Sequence, residues 1–206
     1  FRIPEGELGA LVDAAVEAGS DGAILWDACR THARPRLAAL TRPVPVRARF
    51  DDLVLPDHHT RMLQSIALVL RHRVKVLHDW GFAEHGAGPG VSAVFAGPSG
   101  TGKTMAAEAL ANAARLDLYR VELGAVLGAS LAQTEAKLGA LFDAAEVCGA
   151  VLLFDDADAL FGAGRATRRT ELELGYLIQR MDAYQGATIF TTSPREAFDS
   201  ELLRRA

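Results

Sequence analysis

The stretch Gly97-Pro98-Ser99-Gly100-Thr101-Gly102-Lys103-Thr104 restricts the possible folds of this chain more than any other. It matches G-x-x-x-x-G-K-[ST] in full, directly after the strand-like run Val91 to Ala96 and directly before a helix-like run starting at Lys103. The residue types follow from the chemistry of a phosphate cradle. Glycines let the backbone curl until successive N–H groups face a β-phosphate, and the following helix adds its free N–H groups and positive end. Lys103 is the point charge for the β- and γ-phosphates, and the Thr104 hydroxyl is a ligand for Mg²⁺. The expected binding set is Gly97, Pro98, Ser99, Gly100, Thr101, Gly102, Lys103, Thr104 and Met105, and the expected cofactors are ATP and Mg²⁺. The bland alternative is a Gly-rich turn that happens to end in Lys-Thr.

Beyond Val91, short apolar runs alternate with helical stretches: Leu118 to Leu123, a helix from about Leu131 to Val147, Ala150 to Phe154, a helix from about Arg168 to Tyr184, then Ala187 to Thr192. Repetition of this kind predicts an α/β fold with a parallel sheet covered on both faces. Upstream, apolar positions Leu63, Ile66, Leu70, Val74 and Leu77 share one face of a helix expected from Asp57 to His78. Residues 8–40 read as short amphipathic helices. Thr41 to Arg49 contains Pro43 and Pro45, each restraining itself and its predecessor, and reads as a linker. A boundary near residue 45 divides a helical segment, 1–45, from a core, 46–206.

A phosphate loop needs a second strand carrying a carboxylate for the metal. Val151-Leu152-Leu153-Phe154-Asp155-Asp156 supplies it: four apolar residues of a buried strand ending in acid. Set beside the first strand, Asp155 falls next to the phosphates, where ligands collect in open α/β sheets. Asp156 is then placed to orient an attacking water, whereas Asp158 reads as an acid at the start of the next helix.

Composition excludes several other functions. The formal net charge of -4 gives no basic footprint for nucleic acid. Cys29 and Cys148 are too few and too far apart for a disulfide framework or thiolate site, and read as reduced thiols. No apolar stretch reaches the roughly 18 to 20 residues of a membrane helix, so neither a membrane nor nucleic acid is expected as a partner, and the expected location is cytoplasmic. The chain opens without Met and ends on Leu202-Leu203-Arg204-Arg205-Ala206 in a helix-like run, which reads as part of a longer polypeptide.

With both motifs in place, the segment from about Phe50 onward resembles an AAA+ ATPase domain. It is most similar to the bacterial AAA proteins found with contractile injection systems and related phage-tail-like particles. The resemblance rests on residues 51–56, 80–82, 95–108, 116–120, 153–162 and 176–181. It implies a five-stranded parallel sheet sandwiched by helices, a homo-oligomeric, hexamer-like ring hydrolysing ATP, and a protein partner belonging to such a particle. It also implies that residues 1–45 are lid-like or connecting helices of an upstream module, and that the C-terminal lid lies outside this chain. Arg205, beside Arg204, matches the family's arginine pair and becomes the expected trans-acting charge for a neighbouring site.

The chain departs from the family pattern at four places. Asp156 stands where Glu is usual, and withdrawing a carboxylate by about an ångström costs on the order of 10²-fold in rate. Ser193 replaces the Asn that helps position water. Gly128 to Gln133 carries no aromatic residue where relatives grip a threaded polypeptide, and Leu131, Leu138, Leu141 and Phe142 read as helix core. The stretch Gly162 to Thr170 is short, with Arg165, Arg168 and Arg169 read as a solvated face. Two readings remain: an ATPase of modest rate, and a degenerate module that holds ATP as a structural or switching ligand. A small P-loop kinase fits the Asp-Asp strand end poorly.

Overall fold

The computed structural model describes residues 8–13, 22–33, 37, 40–81, 90–158 and 168–193. Its elements run α1 (Gly22–Ala33), β1 (Thr41–Val44), a 3-10 turn (Phe50–Asp52), α2 (Asp57–Val74) extended by a π turn (Lys75–Asp79), β2 (Val91–Ala96) and α3 (Lys103–Ala114). They continue with β3 (Leu118–Val121), the single turn α4 (Leu123–Val126), α5 (Leu131–Cys148), β4 (Val151–Phe154), α6 (Arg168–Ala183) and β5 (Ala187–Thr192). The strands form one sheet in the order β1-β3-β4-β5-β2.

Alternation along the central strands builds two cores. Val151 and Leu153 of β4, with Ala187 and Ile189 of β5, pack on one face against Ala67, Leu70, Ala107, Leu110 and Ala111 of α2 and α3. Leu152, Phe154 and Phe190 point the other way, against Leu138, Leu141 and Phe142 of α5 and Leu177, Ile178 and Met181 of α6. The Phe154 and Phe190 rings stack at 4.8 Å, and Phe142 meets Tyr184 edge-on at 5.5 Å. The expected stripe on α5 is therefore core at Leu138, Leu141 and Phe142, whereas Leu131, at the start of the helix, is only half-buried. On α2, Leu63 and Leu70 are buried as expected, but Val74, the last residue of the helix, is 53% exposed.

One expectation fails at the other edge. Thr41–Val44 is a strand rather than a linker, antiparallel to β3 with Pro43 opposite Tyr119, so the sheet is mixed and not wholly parallel. An edge strand tolerates proline because its outward N–H has no ladder partner to lose. The prolines that argued against structure thus suit the one kind of strand that could form. Residues before it also lean on this body: Leu37 is buried in the core, Trp26 Nε1 donates to Arg115 O at 3.0 Å, and Arg30 pairs with Asp117 at 3.6 Å.

Tyr184 closes the α6–β5 connection from inside. Its hydroxyl donates to Ala150 O, and burial pushes the phenol far above its ordinary value, so it stays a neutral donor. Tyr184→Phe should lose about 1–3 kcal/mol in urea unfolding, with the slope unchanged, because the Ala150 carbonyl is left without its donor. A raised folded-state value means the wild type keeps this stability below the unfolded tyrosine value, near pH 10, and loses it as pH rises above. The Phe variant should lack that alkaline decline.

Candidate functional site

The loop between β2 and α3 has the backbone of an anion cradle. Gly100 and Gly102 sit at φ +83° and +88°, where a side chain would be strained, and Gly102 caps α3. A Cβ on Gly97 would approach Thr101 Oγ1 to 3.0 Å. Internal bonds hold the curl: the Thr101 hydroxyl donates to Pro98 O at 2.9 Å, and Gly97 N–H donates to Thr192 O at 3.1 Å. Lys103 Nζ donates to Gly97 O at 2.8 Å and Pro98 O at 2.9 Å, which folds the ammonium back over the loop. Thr104 is half-buried on the first turn of α3, with Met105 beside it 39% exposed.

Contrary to the expectation from the sequence, the strand bearing Asp155 is not adjacent to β2. β5 lies between them, parallel to both, with Ala96 level with Thr192 and Phe154 level with Phe190. Two strand spacings, about 10 Å, therefore separate the two chains at the sheet edge. All these strands end at the same edge, so the loop, the end of β5 and the acid pair share one rim. Chain order cannot reveal this, because a crossover connection can skip a position that a later strand fills.

The end of β5 organises the acids. Thr191, fully buried, donates its hydroxyl to Asp155 Oδ1 and accepts the Asp156 N–H at 3.0 Å. Asp155, with its side chain 14% exposed, is also paired through Oδ2 with Arg120 on β3. Asp156 is exposed and adopts φ +52°, a left-handed conformation that Asp tolerates better than most residues. Asp158 is more than a helix-start acid: it accepts from the Thr192 hydroxyl and from Ser193 N–H at 3.2 Å, holding Ser193 against the rim. Arg205 and Arg204 lie outside the described residues.

Sequence reasoning missed Arg120, Thr191 and the holding role of Asp158. Arg120 carried a signal, as the one charge in the otherwise buried strand Leu118-Tyr119-Arg120-Val121. It also misread Arg169, whose guanidinium donates to Gly128 O, to Ala129 O at 2.8 Å and to Glu173 at 2.9 Å, tying the loop before α5 to α6. That arginine is structural and not merely solvated. The side chain of Arg168, and all of Arg165, fall outside the described residues.

This donor set fits a magnesium nucleotide. Among the described residues no group of three or more His, Cys, Asp or Glu side chains could hold a metal unaided. Mg²⁺, however, takes one or two protein oxygens and completes its shell with phosphates and water. Nor is any helix among the described residues long and apolar enough to cross a membrane.

Comparison with known proteins agrees with this geometry. The chain is 28% identical over 187 residues to an uncharacterized AAA family ATPase, y4kL, of Sinorhizobium fredii, covering 85% of this chain and 56% of that protein. It is 28% identical to the chloroplastic ATP-dependent zinc metalloprotease FTSH 6 of Oryza sativa over 75% of this chain, but only 23% of the relative. The chain thus spans about half the length of the first relative and less of the second. In fold it matches a chain of the E. coli MS115-1 HORMA:CdnC:Trip13 complex, with a TM-score of 0.63 and 22% identity, over 82% of this chain and 68% of that one. The family model for the ATPase family associated with various cellular activities matches residues 93–206, from within β2 past the acid pair and β5. Since that match takes in more than half of the chain, including the phosphate loop, the acid pair and the end of β5, the protein belongs to the AAA family of ATPases.

Proposed function

We propose that this chain binds ATP with Mg²⁺ and hydrolyses it to ADP and phosphate, using the cycle to remodel a protein partner from within a ring. The observation carrying this reading is the glycine-built loop with Lys103 folded over it, on the same rim as Asp155 and Asp156. Lys103 exchanges its two loop carbonyls for β- and γ-phosphate oxygens. The Thr104 hydroxyl and Asp155 hold the cation, which when bound neutralises charge developing on the phosphates. Asp156 orients water, assisted by Ser193, and Arg205 of a neighbouring copy supplies the trans charge. Two expectations remain: a partner from a contractile-injection-type particle, which rests on the resemblance alone, and a cytoplasmic location, which rests on the cysteine usage and the lack of a membrane-length apolar stretch in the sequence.

A second reading has an observation in its favour. Asp156 is a short carboxylate on a left-handed backbone whose N–H is tied to Thr191, which fixes the point its side chain reaches from. A module that holds ATP as a switch would tolerate this arrangement.

Nucleotide affinity and steady-state phosphate release, measured on the full-length protein, separate the two. Lys103→Ala should weaken ATP binding about 10- to 100-fold, the loss of charge-assisted bonds worth about 1.5–3 kcal/mol, and abolish turnover. Asp156→Glu should raise kcat, by up to about 10²-fold, if the missing methylene limits the rate. Tight ATP binding by wild type with no phosphate released would establish the switch reading instead.

A further inference from the structure

Asp155 is the carboxylate to which the proposed function assigns the cation, yet the protein itself engages both of its oxygens. The two partners differ in kind. Thr191 is buried on β5 and also accepts the Asp156 N–H, so its bond to Oδ1 is built into the turn and compatible with a bound metal. Carboxylates that ligate metals are commonly held by just such a hydrogen bond. Arg120 is different: its side chain is 45% exposed, it reaches Oδ2 from the neighbouring strand, and it can leave without disturbing the core.

A dication approaching Asp155 therefore meets a guanidinium already on the oxygen it needs. That oxygen has a second lone pair, but a guanidinium and a dication brought together on one carboxylate repel each other. Resting on the function proposed above, we infer that Arg120 is an internal counter-ion of Asp155 that Mg²⁺ must displace, and that it thereby sets how much metal the site requires. With its side chain 14% exposed, Asp155 is costly to leave uncompensated, and Arg120 supplies the compensation. The displaced guanidinium stays on a rigid strand, and so returns when the cation leaves.

The consequence is specific to metal. Arg120→Met keeps an apolar stem and removes the charge; Arg120→Lys keeps the charge without the planar fork. Binding of Mn²⁺ in the presence of ATPγS, followed by electron paramagnetic resonance of the free ion, reads the effect directly. Affinity for ATPγS in EDTA serves as the reference. The half-saturating Mn²⁺ concentration should fall about two- to fivefold in Arg120→Met, the scale expected of a half-exposed pair, and less in Arg120→Lys. Affinity in EDTA should be unchanged. Equal Mn²⁺ affinity in wild type and both folded variants would overturn the inference while leaving nucleotide binding intact. Weaker Mn²⁺ binding in Arg120→Met would also overturn it, by making Arg120 a partner of the bound nucleotide. No ATPγS binding by wild type would sink the functional reading itself.

Discussion

β4 and β5 are buried along their whole length, and the site hangs on that burial. With apolar side chains packed above and below, neither strand has water available to its backbone, so every N–H and C=O in their shared ladder must pair. The ladder in turn forbids slippage, because a shift of one residue would turn Leu152, Phe154 and Phe190 out of one core and into the other. The stacked Phe154 and Phe190 rings enforce the same register from the side. Asp155 and Thr191, directly beyond those rings, are therefore held level at the rim.

From that register the polar chemistry follows. A hydroxyl at Thr191 can reach the Asp155 carboxylate and the Asp156 amide at once because β5 runs past the end of β4, with Phe154 level with Phe190. Asp158 does the equivalent for Thr192 and Ser193, while Gly97 N–H reaches back to Thr192 O. β5 is thus the hub joining the phosphate loop to the acids. The cluster of alanines on α3 complements it, since Ala107, Ala111 and Ala114 let the helix that begins at the loop lie close to the sheet. A larger residue there would push the loop away from the rim.

Much of this was legible in the chain. The bounds of β2 and β5 were read correctly because each is a compact apolar run between turn residues, and the α5 stripe because its spacing matches a helix facing a core. The phosphate loop was legible for a stronger reason: its chemistry is carried by neighbouring residues and by backbone angles that only glycine accepts readily. β1 was not, since Pro43 and Pro45 argue against a strand unless it is known to lie at an edge. The pairing of Arg120 with Asp155 and the reach of Arg169 to Gly128 and Ala129 were hidden as well, linking residues 35 to 41 positions apart.

Residue order alone therefore specified the cradle, its lysine, and the presence of an acid-tipped buried strand, because these depend on short-range geometry and on burial patterns local to each element. Which strand stands next to which, and so whether Asp155 is met first by a hydroxyl, a guanidinium or a phosphate, was settled by packing across the sheet. Adjacency arises from contacts between segments far apart in the chain, and no local pattern encodes them: β5 inserts between β2 and β4, two strands that precede it.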